Sequence, residues 1–464
     1  MEERRESLDL QKEISKLTKK ELVDLLMELV DGDEDIAKKI EFKLFTPHDE
    51  VKASKQLIRK YINENKRQGF ISWRNVHAAL QGAEMVLDKG RNKMVSGEEE
   101  KAVELGIAVL SIVVDMLQYT DDSNGEIGYI VNESITLLQD ASSLVLLSSN
   151  HRGQERTFNL ILKEAMHKRY DGWNDTRYEL LDVCTIYSAR TSARKKLEET
   201  LDKLLTQLAA VSSWSSDYDK EAILQLQLKI LERNGEMEQA SQFINNHLEF
   251  SAFRKMAIEK EIENENYESA LKICEEGEEN DSKYPGLLKQ WKEYRLQVYE
   301  KIEDIEKQKD ILVEFVLDNE YEAYGKLKEL YTPDEWKFAL ENIFDLFEGR
   351  SSDYLPHVYE YIAKAENRTD KILKYVEQAP STVIELYTFL VDDYPEKVED
   401  IFIKHILFEA EQATERKRYR FVCKKLLVYK EACGESKFNT LVQDLKDTYE
   451  RKPAFVNELE KIER

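Results

Sequence analysis

Apolar residues recur at every third or fourth position along most of the chain, the spacing of amphipathic helices. Leu22, Leu25, Leu26 and Leu29 form the first such face, in a helix expected from about Leu10 to Val30. Thr18 and Glu21 make a capping-box pattern that places a helix start inside that span. Asp31-Gly32-Asp33 reads as a turn. A short helix follows through Ile36, Ile40 and Leu44, stopped at Thr46-Pro47, so the two helices form an αα-hairpin. Further helices are expected over 51–65 and from Trp73 through Leu80. A basic, glycine-containing stretch, Lys89 to Gly97, separates these from a helix starting at Glu98, with Val103, Ile107, Leu110 and Val114 on one face. After the Asp121–Gly125 turn come helices over 127–138, with a weaker continuation to Leu147, and over 151–171, 173–187 and 188–208.

Beyond the polar stretch Ser212–Asp217, which contains Trp214 and marks a boundary, the rhythm tightens. Helices are expected over 218–232, 236–246, 249–261, 264–277, 285–301 and 304–317, with loops short enough to force antiparallel neighbours. Two near-repeats lie 30 residues apart here: Asn234-Gly235-Glu236-Met237-Glu238-Gln239-Ala240 and Asn264-Glu265-Asn266-Tyr267-Glu268-Ser269-Ala270. Each has a polar turn, an acidic helix start and an alanine at the same offset. Gly235 suits the positive φ of a helix end, and Ala240 and Ala270 would let adjacent helices approach closely. From Glu320 onward, helix starts are marked by Thr332-Pro333-Asp334-Glu335, Ser352-Asp353, Arg368-Thr369-Asp370 and Ala379-Pro380-Ser381. Strand-like alternation is essentially absent. The expected fold is all-α: an N-terminal helical domain over 1–211, tetratricopeptide-like helical hairpins over 212–345 and further helical repeats over 346–464, arrayed as a right-handed α-solenoid.

Two segments carry a family resemblance. One is Leu17-Thr18-Lys19-Lys20-Glu21-Leu22-Val23-Asp24-Leu25-Leu26 with the acidic turn Asp31–Asp35 and Ile36–Leu44. The other joins Asn234-Gly235, Phe253-Arg254, Tyr267-Glu268-Ser269-Ala270, Trp291, Tyr299, Lys326-Leu327-Lys328 and Trp336. Over roughly residues 15–345 the chain resembles the helical region that accompanies a SWIM zinc finger in a group of bacterial proteins, a region similar to tetratricopeptide arrays. The finger itself requires Cys-x-Cys followed by Cys-x-His, and this chain has neither. The resemblance therefore implies the helical scaffold without the zinc module.

Composition narrows the chemistry. Charged residues make up 34% of the 464 and the formal net charge is −24, a field that opposes nonspecific binding to nucleic acid and anionic membranes. Met1–Arg5 is charged and no apolar signal core follows. The longest apolar run, Ile107–Met116, is interrupted by Ser111 and Asp115 and is too short to span a membrane. The four cysteines, Cys184, Cys274, Cys423 and Cys433, are scattered without metal-site spacing. These features point to a reduced, soluble, cytoplasmic protein. No Gly-rich phosphate loop, HExxH or calcium-loop motif occurs, and the histidines are dispersed. No catalytic residue, metal or cofactor is expected.

The reading that follows is a non-catalytic interaction scaffold that binds a macromolecular partner on a concave helical surface. The charge favours a basic protein partner. Candidate contacts are the basic run Arg416, Lys417, Arg418, Tyr419 and Arg420, the aromatics Tyr267, Trp291 and Tyr299, and the cluster Lys163, His167 and Arg169. Lys163 and His167 would share a helix face at a spacing of four. Trp173, Trp214, Trp291 and Trp336 read as wedges between helices. The alternatives are a nucleic-acid-associated factor using Arg416–Arg420, with Tyr419 stacking on a base, and an enzyme whose site assembles from distant helices.

Overall fold

One backbone device closes helix after helix. At Gly235 the chain turns into the left-handed region (φ +73°), and the Glu236 N–H reaches back to the Leu231 carbonyl at 3.0 Å. The same bridge runs from Asn266 to Glu261 (2.8 Å), Asp304 to Tyr299 (3.0 Å), Glu320 to Phe315 (3.0 Å) and Arg368 to Ala363 (2.8 Å). The residues at positive φ in these turns are Glu265, Glu303, Asn319 and Asn367. This is the Schellman closure, which satisfies carbonyls left open at a helix end and starts the next helix two residues later. The echo between Asn234 and Ala270 records two copies of it. Ala240 and Ala270 are both buried, where their small side chains admit a neighbouring helix.

The computed structural model describes residues 12–32, 40, 49–148, 150–209, 214–350 and 354–463. Among these every regular element is helical, and β-type pairing is confined to isolated bridges, Arg67 with Phe70 and Ile71 with Thr120. Apart from Ile40, the expected helix through Ile36 and Leu44 and its Thr46-Pro47 stop lie outside the described residues, as do Ser212 and Ser352 and the side chain of Trp214. The chain forms two compact units, 1–256 and 257–464. This division falls inside the segment expected as one block of repeats, 212–345.

The first unit begins with α1 (Lys19–Gly32), whose start is the expected capping box: the Thr18 N–H donates to Glu21 at 2.7 Å and the Glu21 N–H to the Thr18 hydroxyl at 3.3 Å. Next come α2 (Glu50–Asn65), α3 (Val76–Val95), α4 (Glu99–Met116) and α5 (Glu126–Leu147). Each packs on its successor, and α2 also meets α4 and α3 meets α5, so they form a bundle around α4. That helix is buried nearly all round, Val103, Leu105, Ile107, Val109, Leu110 and Val113 alike, whereas its sequence suggested a single apolar face. At Gly82 an added Cβ would lie 3.1 Å from the Ile58 Cα, so the absence of a side chain lets α2 and α3 pack backbone to backbone. The Lys89–Gly97 stretch, expected as a connector, is helical to Val95: Gly90 fits against Leu137, and Lys89 pairs with buried Glu50 at 3.0 Å. The unit continues with α6 (His151–Ala165), α7 (Asn174–Thr185), α8 (Thr191–Ala209), α9 (Trp214–Arg233) and α10 (Met237–Asn245), and α11 (Ser251–Glu263) crosses into the second unit.

The second unit strings together α12 (Tyr267–Asn280), α13 (Pro285–Lys301), α14 (Ile305–Leu317), α15 (Tyr321–Glu329), α16 (Pro333–Gly349), α17 (His357–Ala365), α18 (Thr369–Gln378), the single turn α19 (Val383–Leu386), α20 (Pro395–Gln412), α21 (Arg416–Cys433), α22 (Glu435–Thr448) and α23 (Pro453–Ile462). Contacts are mostly between successive helices, the local packing of a helical array. A continuous apolar core runs from Leu296 to Leu459.

Candidate binding grooves

The aromatic candidates of the second unit are largely built into its packing. Trp291 is fully buried among Ile258, Ile262, Cys274 and Val298, and its indole N–H donates to Asp281 Oδ2 at 2.8 Å. Tyr299 is buried, with the Arg295 guanidinium 5.8 Å from its ring centroid. Tyr267 is partly buried against the same cluster as Trp291. Trp336 is buried as well and donates to Glu366 at 3.1 Å, whereas Trp173 is half-exposed.

The basic run divides in two. Tyr419 is buried and stacks on Phe455 (ring centroids 4.8 Å apart, planes 16° apart), so its ring is spent on the core and not presented to a base. Arg416 and Arg420 converge on Glu458 at 3.1 and 3.4 Å. Lys417 and Arg418 face another way and line a cavity of about 360 Å³ with Glu409, Glu415, Phe421 and Lys425.

The third candidate cluster is rearranged. Helix α6 ends at Ala165, and the chain turns extended at His167 (φ −77°, ψ 143°), so Lys163 and His167 do not share a helix face. The His167 imidazole accepts instead from the Arg169 N–H at 3.1 Å. Arg169 itself turns inward, donating to the Ser111 carbonyl and to Asp115 at 2.9 Å and lying 3.1 Å from Glu164.

A further concavity lies between α7 and α9 of the first unit. It encloses about 690 Å³. Helix α7 contributes Asp175, Tyr178, Glu179 and Asp182 at the three-to-four spacing of one face. Helix α9 contributes Tyr218, Ala222, Gln225, Lys229 and Glu232 at the same spacing, and Met256 closes one side. The two helices are tied by Tyr218, whose hydroxyl donates to Asp175 Oδ1 at 3.2 Å, and by Lys229, which pairs with Asp182 at 2.5 Å. Asn174 adds a third tie, to buried Asp219 at 3.0 Å.

The lining is strongly acidic: Asp175, Glu179, Asp182 and Glu232 against Lys229 alone. The titrating groups register this. Partial burial, reinforced by the carboxylates of Asp175 and Asp182, raises the Glu179 carboxyl above its ordinary range. The Tyr218 hydroxyl is raised chiefly by the charge of Asp175, and Tyr178 is raised by burial and then by its hydrogen bond to Asp219. Such a cleft stabilises a cation, which would relieve the mutual repulsion of the carboxylates while the two phenol rings offer π faces. Sequence reasoning did not select these residues. Each half is an unremarkable acidic helix face, and the 35 positions between Asp182 and Tyr218 carry no sign that they meet.

Among the described residues no group of three His, Cys, Asp or Glu side chains is placed to hold a metal ion, and no helix is long and apolar enough to cross a membrane. No curated protein matches the chain. A solved circular tandem repeat protein, described as having novel repeat topology and enhanced subunit contact surfaces, is similar to it at 13% identity, over 94% of this chain and 91% of that one, with a TM-score of 0.23. A family model matches residues 4–317, and the chain accordingly belongs to DUF6880, a family of unknown function.

Proposed function

We propose that this protein is a non-catalytic recognition scaffold whose first unit binds a basic segment of a protein partner in the acidic cleft between α7 and α9. The observation that carries this reading is the convergence of Asp175, Glu179, Asp182 and Glu232 with Tyr178 and Tyr218 around about 690 Å³ that contain a single lysine. Guanidinium or ammonium groups would supply the missing positive charge, and the phenols would supply apolar and cation–π contact. The overall charge of −24 would speed the encounter with such a partner and slow it with nucleic acid. The tetratricopeptide-like reading and the resemblance to a SWIM-associated helical region fit the same role: a holder acting beside other modules in the cytoplasm.

The test is fluorescence anisotropy with a labelled peptide of alternating glycine and arginine, against a glycine–glutamate control, at low and high salt. The expected result is salt-sensitive binding of the basic peptide only, weakened about tenfold or more in the Asp175→Asn, Glu179→Gln, Glu232→Gln variant. Equal binding by the variant and the unaltered protein would overturn the assignment of the cleft.

A further inference from the structure

The opposite side of α9 faces a second groove, shared with α8 and α10, of about 430 Å³. Its lining differs in kind from that of the acidic cleft. Leu231 and Phe243 form an apolar floor, and Phe243 is itself held by the rings of His247 and Phe253, with centroids 4.3 and 6.0 Å away. Around this floor stand the carboxamides of Gln227, Gln239, Gln242 and Asn246.

Gln239, Gln242 and Asn246 recur at intervals of three and four, so α10 and its C-terminal end present them as one row. The buried Ala240 and Ile244 of the same helix point the other way. The Gln227 amide donates to Asp202 at 2.8 Å. The side chains of the other three make no hydrogen bond to any described residue. A carboxamide carries a donor and an acceptor on one planar group, the same pair that a peptide bond presents. From Gln239 to Asn246 the row covers about 10 Å along the helix axis, the length of about three residues of extended chain. Two carboxylates of α8, Glu198 and Asp202, close one side. Glu198 is engaged by Arg194 at 2.7 Å, while Asp202 has no cationic partner among the described residues.

We propose that this groove binds the main chain of an extended peptide segment, with the carboxamide row pairing to its backbone N–H and C=O groups and Asp202 selecting a lysine or arginine side chain. The inference rests on the recognition reading above for the sign of the partner's charge, but it concerns a separate site and a different kind of contact. An unstructured strand leaves a backbone donor and acceptor unpaired at every residue, which a row of amides satisfies and a helical or folded partner does not.

The experiment titrates full-length protein with a labelled peptide of alternating serine and lysine, and with the same peptide N-methylated at alternate backbone nitrogens. N-methylation removes N–H donors while leaving every charge in place. The expected result is about tenfold weaker binding of the methylated peptide to the unaltered protein. The Gln239→Ala, Gln242→Ala, Asn246→Ala variant should bind both peptides equally, at the weaker level. Equal affinity of the unaltered protein for the two peptides, full affinity in the carboxamide variant, or no binding at all overturns the proposal. The cleft variant separates the two sites. Loss there without loss in the carboxamide variant removes the groove and keeps the acidic cleft, and the reverse pattern removes the cleft. The methylated peptide leaves the protein unchanged, so its result is independent of any folding defect.

Discussion

The Tyr218 hydroxyl donates to Asp175 Oδ1 at 3.2 Å, joining two helix faces that lie 43 residues apart in sequence. The bond fixes the phenol at the rim of the acidic cleft and lends its ring to whatever enters. It also divides the contribution of Tyr218 into a donor and a surface, which substitution can separate.

Tyr218→Phe keeps the ring and removes a hydrogen bond worth about 1 kcal/mol. The affinity for a basic peptide should therefore fall less than in Tyr218→Ala, where the ring is lost as well. Titration of both variants with the glycine–arginine peptide checks this. An equal loss in the two would assign the effect to the hydrogen bond alone.

The helix closures make a paired prediction. Glu265 occupies the left-handed position (φ +60°) that Gly235 occupies one repeat earlier, and an L-side chain is disfavoured there by about 1 kcal/mol. Glu265→Gly should raise stability by about that amount, and Gly235→Ala should lower it similarly. No atom lies within 4 Å of a Cβ built at Gly235, so the cost there is conformational and not steric. Urea midpoints of the two variants should move in opposite directions.

Trp291 fills the junction of α11, α12 and α13 and donates to Asp281. Trp291→Ala should destabilise the second unit by about 3–5 kcal/mol through the cavity it leaves. Trp291→Phe should cost less, keeping part of the packing while removing the indole donor. Thermal unfolding followed by far-ultraviolet circular dichroism distinguishes the three proteins.

The basic run of α21 should respond position by position. Arg416→Glu with Arg420→Glu places like charges beside Glu458 and should lower Tm, since both arginines hold that carboxylate. Lys417→Glu with Arg418→Glu should leave Tm unchanged, because those side chains line a cavity of the surface. A drop of the same size in both double variants would contradict this division.

Glu348 gives the second unit an acid-sensitive point. Burial pushes its carboxyl up, but hydrogen bonds from Lys374, Lys371 and Tyr359 outweigh this and hold it at about 2, below the ordinary 4.5. Glu366 is likewise held below its ordinary value: burial raises it, but hydrogen bonds from Lys328, Tyr324 and Trp336 together outweigh this. A carboxylate depressed in the folded state stabilises fully above its unfolded pKa and loses that contribution as pH falls through the folded one. Stability should thus decline from about 4.5 toward about 2, and Glu348→Gln should flatten that decline. An unchanged acid limb in the variant would show that the cluster contributes nothing.

Much of the fold was legible because its determinants are local. Helices over 285–301 and 305–317 follow from apolar periodicity and from starts marked by Pro285 and Asp304. The Thr18–Glu21 and Thr332–Glu335 boxes form within four residues, and so do the turns at Gly235 and Glu265. The ends of the elements near Gly90 and His167 were less legible. The first is decided by Leu137 and Glu50, the second by Arg169 turning to Asp115 and Ser111, partners that no local pattern announces.

The amino-acid sequence by itself determined that this protein is built of short amphipathic helices closed by repeated polar turns, and that it carries a large negative charge. Periodicity, capping and composition act over a few residues or over the whole chain. Tertiary structure alone decided which faces meet. It buried Trp291 and Tyr419, sent Arg169 inward, and set α7 against α9 so that two ordinary acidic faces enclose one cleft. Side-chain direction on a helix fixes a face but not the neighbour it meets, and that neighbour is chosen by packing between residues far apart in the chain.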